Sequence, residues 1–157
     1  MSLNDAVQVL QGMPLFRNVD LKRLRVVAMM GESRTYREGE RLFEQGDEGD
    51  AAFIIINGDV DVLVRVDGGE QSVAVLGKGE LFGELGVLCD QPRTSAIAAR
   101  SELETLRLDR NTVMNLMREF PDISLEMVRI LGARLERTTR ELSQARASLE
   151  AQSGGTA

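Results

Sequence analysis

Histidine and tryptophan are absent from the 157-residue sequence, and cysteine occurs once, as Cys89. A lone cysteine excludes an intrachain disulfide and a cysteine-based zinc cluster, and it fits a reducing compartment. Without histidine there is no Ser-His or Cys-His nucleophile pair and no imidazole ligand for a transition metal, so the composition argues against an enzyme and against a metal site. Long apolar runs are also missing. The longest, Ala51 to Ile56, is far short of the ~20 residues of a membrane span. The N-terminus lacks a basic stretch followed by an apolar core. These features predict a cytoplasmic, soluble protein that does not enter a membrane. Lysine is scarce, with two against 17 arginines, a bias suggestive of a GC-rich bacterial genome.

Positive charge is short overall, at a formal net charge of -6. From Asp122 onward five acidic and five basic side chains cancel, so the excess belongs to the first 121 residues. No basic surface for nucleic acid is implied. An anion bound by such a chain must be held by a local set of donors, which directs attention to arginines and helix N-termini.

What is present divides into three stretches. Val7, Leu10 and Met13 are spaced for a short helix from Asn4, stopped by Pro14, and a second helix is predicted from Asp20 through Leu21, Leu24, Val27 and Ala28. From Glu32 to Asp109 the pattern turns to short runs, several rich in β-branched residues: 35–36, 41–43, 53–56, 60–66, 72–76, 94–99 and 103–108. Ten of the 15 glycines lie between Gly39 and Gly86 and separate most of these runs, as in an antiparallel sandwich or barrel. Asp67-Gly68-Gly69 between two alternating segments predicts a hairpin. Helical spacing returns after Asp109, with a short helix around Val113 to Phe120, a break at Pro121, and a long helix from about Asp122 to about Glu150. The units are then N-terminal helices at 1–31, a β-roll at 32–109, C-terminal helices at 110–150 and a disordered tail at 151–157.

The segment from Gly79 to Ile97 interrupts the strands. Gly83 and Gly86 permit close backbone approach, and Glu84 to Leu88 is long enough for one helical turn whose free N–H groups point at its start. Arg93, read as beginning the next strand, supplies a guanidinium fork for a phosphate, and Glu84 supplies an acceptor for a sugar hydroxyl.

Phe82-Gly83-Glu84-Leu85-Gly86 followed by Pro92-Arg93-Thr94-Ser95-Ala96 resembles the phosphate-binding cassette of the cyclic-nucleotide-binding domain family, here at 82–95. Gly46-Asp47-Glu48-Gly49-Asp50 and the run after it, to Val60, resemble that family's barrel signature. The resemblance covers roughly Pro14 to Thr138. It implies an α+β fold: an antiparallel β-roll or jelly-roll barrel of about eight strands, short N-terminal helices, a short cassette helix, and a C-terminal helix pair ending in a long lid. The implied ligand is cAMP or cGMP, with no metal. Carried over by position, Glu84 accepts from the ribose 2′-hydroxyl, Arg93 pairs with the cyclic phosphate, and Gly83, Leu85 and Gly86 offer backbone groups. Thr94 lies beside phosphate and base, with Ser95 also counted among the ligand-binding positions, and the Thr94 hydroxyl keeps cGMP in play. Val62 and Leu76 are the expected apolar contacts of the purine, and Arg134, Leu135 and Thr138 the candidates for capping the base from the lid.

Val128, Leu131, Leu135, Thr138, Leu142, Ala145 and Leu149 fall at alternating three- and four-residue steps, the seam of a coiled coil, in which Glu141 would face Arg146 of a partner helix. A homodimer through this helix is the expectation. The reading is therefore of a regulatory sensor that binds a cyclic nucleotide and signals through its C-terminal helix to an effector in trans, since too few residues follow that helix for a further domain unless the chain is a fragment. Two rivals are a dimerising scaffold of the same fold that has lost ligand affinity, and a cupin-type barrel enzyme, which the absence of histidine disfavours.

Overall fold

The computed structural model describes residues 2–154. Helix α1 (Leu3–Gln11) is started by Ser2, whose hydroxyl accepts from the Asp5 amide while the Asp5 carboxylate returns the bond, a reciprocal cap that satisfies two N-terminal donors. Pro14–Phe16 forms a single 3₁₀ turn that the sequence reading does not contain, and α2 (Leu21–Met30) follows, capped by Asp20.

Eight strands come next: β1 (Glu32–Tyr36), β2 (Arg41–Phe43), β3 (Ala51–Asn57), β4 (Val60–Val66), β5 (Gly69–Leu76), β6 (Leu81–Phe82), β7 (Ala96–Ala99) and β8 (Leu103–Asp109). They form two four-stranded antiparallel sheets, ordered β1-β8-β3-β6 and β2-β7-β4-β5, the jelly-roll barrel expected above. The β4–β5 hairpin pairs Val66 with Gly69, and the turn between them needs Gly68 at φ 91°, a conformation open to glycine and costly to most other residues.

Strand β3 explains the long apolar run. Ala51, Phe53 and Ile55 face the barrel interior with Val60, Phe82, Ile97, Ala99 and Leu103. Ala52, Ile54 and Ile56 face a second core shared with the helices, including Leu10, Phe16, Leu24, Val27, Leu106 and Met127. A strand covered on both faces loses the polar alternation of a half-exposed one. Helix α3 (Glu84–Leu88) is the cassette turn, and α4 (Arg110–Glu119) and α5 (Pro121–Gly154) close the chain. Helix α5 continues through Ala151–Gly154, where the sequence reading places a disordered tail, because Ala151 and Gln152 sustain helix as well as the residues before them. Residues 155–157 of that tail lie outside the described residues. Among the described residues no helix is long and apolar enough to cross a membrane.

Asp109 caps α4 by accepting from the Thr112 amide at 2.8 Å, a bond that holds its carboxyl below the ordinary carboxylate range. A group lowered in the folded state stabilises above its unfolded pKa, and that contribution fades as pH falls through the folded value. Asp109→Ala is expected to cost about 1 kcal/mol at neutral pH. Denaturant titrations of variant and parent should differ in full down to about pH 4 and begin to converge only below it.

Candidate functional site

Between the β2-β7-β4-β5 sheet, the cassette and α5 lies a cavity of about 200 Å³. Its cassette wall holds Gly83, Glu84, Leu85, Gly86, Arg93, Thr94 and Ser95, all seven positions singled out from the sequence. The opposite wall is apolar and contains both expected purine contacts, Val62 and Leu76, together with Phe43, Phe82 and Ile97. The sequence reading did not select these last three. Ile97 carries a signal in the inward alternation of β7, which it shares with Ala99, and Phe82 in its place next to the cassette glycine Gly83.

Arg93 is the centre of this arrangement. The side chain is buried, and its guanidinium lies 4.0 Å above the Phe43 ring, next to a cluster in which Phe53 and Phe82 stack with centroids 5.2 Å apart. Nη1 donates to the Gly83 carbonyl at 2.8 Å and Nη2 to the Ala51 carbonyl at 2.7 Å. Asp50 provides a more distant counter-charge, 3.7 Å from Nη2. Two of five N–H donors are thus used in positioning the fork. Nε is buried and has no hydrogen-bond partner among the described residues, which an interior rarely tolerates without an acceptor to come. Burial pulls the guanidinium down from its ordinary value, Asp50 opposing and Arg107 adding to the shift. An incoming anion would relieve that cost.

The backbone around Arg93 departs from the expectation that it begins a strand. Its amide donates to the Asp47 carbonyl at 2.8 Å and its carbonyl accepts from the Gly46 amide at 2.9 Å. These bonds fix Arg93 on the β2–β3 loop, and β7 starts only at Ala96. Gly49 of that loop touches Gly86 so closely that a Cβ on it would lie 2.5 Å from the Gly86 Cα. The two sequence motifs, 46–60 and 82–96, are therefore one piece of structure. Gly83 carries φ 78° as the residue before α3, and a Cβ there would sit 2.7 Å from Arg93 Nη1.

Glu84 is buried beside Arg93 but does not pair with it. Its Oε1 accepts from Nη1 of Arg134, and Arg134 Nη2 donates to the Leu81 carbonyl at 2.9 Å. Of the three lid residues put forward for the base, only Arg134 lines the cavity, and its guanidinium is bonded to the cassette. Leu135 and Thr138 are exposed and outside the cavity wall. Helix α5 instead offers Arg137, one helical step (i+3) from Arg134 on the same face, which the sequence reading missed.

No group of three or more acidic or cysteine side chains among the described residues is arranged to hold a metal ion. The site can fix a compact anion and accept from a hydroxyl beside it, against an apolar wall suited to a flat ring.

The family model described as "Cyclic nucleotide-binding domain" matches residues 33–120, more than half of the chain. The chain is 28% identical over 137 residues to a CRP-like cAMP-activated global transcriptional regulator of Mycobacterium tuberculosis, covering 87% of this chain and 61% of that protein. The catabolite activator protein of Thermus thermophilus superposes with a TM-score of 0.77 at 31% identity, covering 83% of this chain and 62% of the other. The regulatory domain of Toxoplasma gondii PKA, crystallised with cAMP, gives a TM-score of 0.64 at 28% identity, over 70% and 42% of the two chains. The chain spans about three fifths of the length of the bacterial regulators it matches.

Proposed function

Since this chain belongs to the cyclic nucleotide-binding domain family, we propose that it is a sensor in which Arg93 takes the cyclic phosphate and Glu84 the ribose 2′-hydroxyl of cAMP. The observation that carries this reading is the Arg93 fork on the cavity wall, held in place by two backbone carbonyls, with its buried Nε unpartnered among the described residues. Three N–H groups remain for an anion, and a receptor whose positioning bonds already exist spends little entropy on binding. Gly83, Leu85, Gly86, Thr94 and Ser95 complete the polar side, and Val62, Leu76 and Ile97 receive the purine. The cAMP-activated regulators among the relatives favour cAMP, while the Thr94 hydroxyl offers a partner to guanine and makes cGMP the competitor to rank. No step of catalysis is assigned to the site.

Binding is read out through α5, whose changed packing an effector senses in trans, since a ligand shifts a conformational equilibrium only by preferring one arrangement. A homodimer through α5 fits the apolar stripe on that helix: Val128, Leu135, Leu142 and Leu149 are 66, 67, 52 and 63% exposed. Sedimentation equilibrium is expected to give a dimer, and the pair Leu135→Glu and Leu142→Glu to give a folded monomer.

The deciding experiment is titration calorimetry of folded, nucleotide-free protein with cAMP and then cGMP. Saturable binding of either at micromolar concentrations or below supports the sensor. Absence of both would leave the alternative, a dimerising scaffold.

A further inference from the structure

A groove of about 410 Å³ runs along α5 as far as Arg140, between that helix, the 3₁₀ turn and the loop before β6. Its floor is apolar: Met13 and Leu15 at the 3₁₀ turn, Leu81 of β6, and Ile130 and Ala133 of α5. Met13, Leu15 and Leu81 are core side chains, so the groove bottoms on the core itself. Its rim carries Arg137 and Arg140, both exposed and neither in an ion pair with a described residue. The one acid among the lining residues, Glu80, turns its carboxylate back to accept from the Gly77 amide at 2.7 Å. In a chain of net charge -6, two unneutralised guanidiniums over an apolar floor form a local exception. The body repels acidic partners in general and this groove alone attracts one, which gives a docking site its selectivity.

We propose that the groove is where the effector docks, and that the docking element is an acidic amphipathic helix with its apolar face on Met13, Leu15, Leu81 and Ile130 and its carboxylates on Arg137 and Arg140. The proposal rests on the sensor reading for the existence of an effector in trans, and on the groove alone for that effector's chemistry. Arg137 and Arg140 are neighbours on one helix face, about 5–6 Å apart at Cβ, a spacing matched by carboxylates three or four residues apart on a partner helix. Apolar anchors beside arginines are also the composition in which binding energy concentrates. A lipid surface is excluded by shape, because a flat bilayer does not reach a floor recessed between two elements. Arg137 stands roughly 160° around α5 from Leu135, so an occupied groove leaves the exposed leucine stripe free for a second copy.

The test uses the full chain and a fluorescent synthetic helix of about 16 residues, long enough to hold helical structure, with leucine along one face and glutamate on both flanks. Anisotropy titration should give a Kd in the micromolar range, and versions with glutamine for each glutamate or serine for each leucine should bind at least about tenfold more weakly. Arg140→Glu should weaken binding of the acidic helix by about tenfold, and Ala133→Trp, which fills the groove and leaves both guanidiniums, by as much. Arg146→Glu, further along α5 and outside the groove, should change nothing. The cAMP affinity of Arg140→Glu should equal the parent's, because Arg140 does not line the nucleotide cavity. Undiminished binding by Ala133→Trp would reduce the contact to surface charge and overturn the proposal. So would no binding by the parent at about 1 mM helix, or its capture by phosphatidylserine vesicles in place of the helix. Groove binding as expected in a folded chain that takes neither cAMP nor cGMP would instead overturn the sensor reading and leave the docking site standing.

Discussion

Arg93→Ala should weaken cAMP binding by roughly thirtyfold or more while leaving a folded protein. The size follows from removing one partner of a desolvated charge pair, typically 2–5 kcal/mol. Arg93 is 5% exposed, and the two other arginines that line the cavity both stand on α5. Arg134 is engaged by Glu84 and Leu81, and Arg137 enters from the opposite, lid side of the cavity. Stability should fall much less than affinity. The variant deprives the Ala51 and Gly83 carbonyls of their donors, yet it also removes a buried guanidinium whose Nε has no partner. Arg93→Lys should recover little, since a single ammonium cannot bond both carbonyls and still present a fork. Calorimetry of the three proteins, with thermal melts of each, separates the two effects. Equal affinity in parent and alanine variant would show that the phosphate is held elsewhere.

Gly49→Ala should damage stability and binding at once, although Gly49 does not line the cavity. A Cβ at this position would lie 2.5 Å from Gly86 Cα and 2.9 Å from the Gln91 carbonyl oxygen. Both neighbours are backbone, so no side chain can rotate aside and the loop must move away from α3. Overpacking of this kind costs about 1–3 kcal/mol. The displacement is directed at Arg93, because the same loop holds its amide and carbonyl through Asp47 and Gly46. Chemical denaturation should show the lost stability and titration a fall in cAMP affinity of about tenfold or more, the scale on which a small misplacement of binding groups acts. Gly12→Ala, where a Cβ meets nothing closer than 3.6 Å and φ is -83°, controls for the loss of a glycine without a clash.

Much of this architecture is legible in the sequence, for reasons that can be traced to individual residues. The β4 strand and its hairpin stand out because they are half exposed and alternate, with the turn glycines between them. The cassette stands out because Gly83, Glu84, Gly86 and Arg93 are a chemically unusual set at close spacing, and the structure brings all of them to one cavity. Three things are not legible. Strand β6 is two residues long, too short for any periodicity to show. The start of β7 is misplaced because Arg93 and Thr94 look like strand residues, and only the nonlocal bonds to Gly46 and Asp47 remove them from the ladder. The partner of Arg134 is hidden as well. On α5 it is one of several arginines at helical spacing, and a contact with Glu84, 50 residues away in sequence, follows from how α5 crosses the cassette.

Helix α5 is one rod of 34 residues, and it is gripped near one end. At ~1.5 Å per residue, the part beyond Arg134 reaches roughly 30 Å, and most of it rests on nothing within its own chain. Mechanically this is a lever with its fulcrum at the cassette. A tilt of only 10° about Arg134 would carry the far end through roughly 5 Å, the height of a full helical turn. A small adjustment where a carboxylate meets a guanidinium thus arrives at Leu149, about 22 Å further along the helix, as a sideways shift of roughly 4 Å against whatever lies alongside.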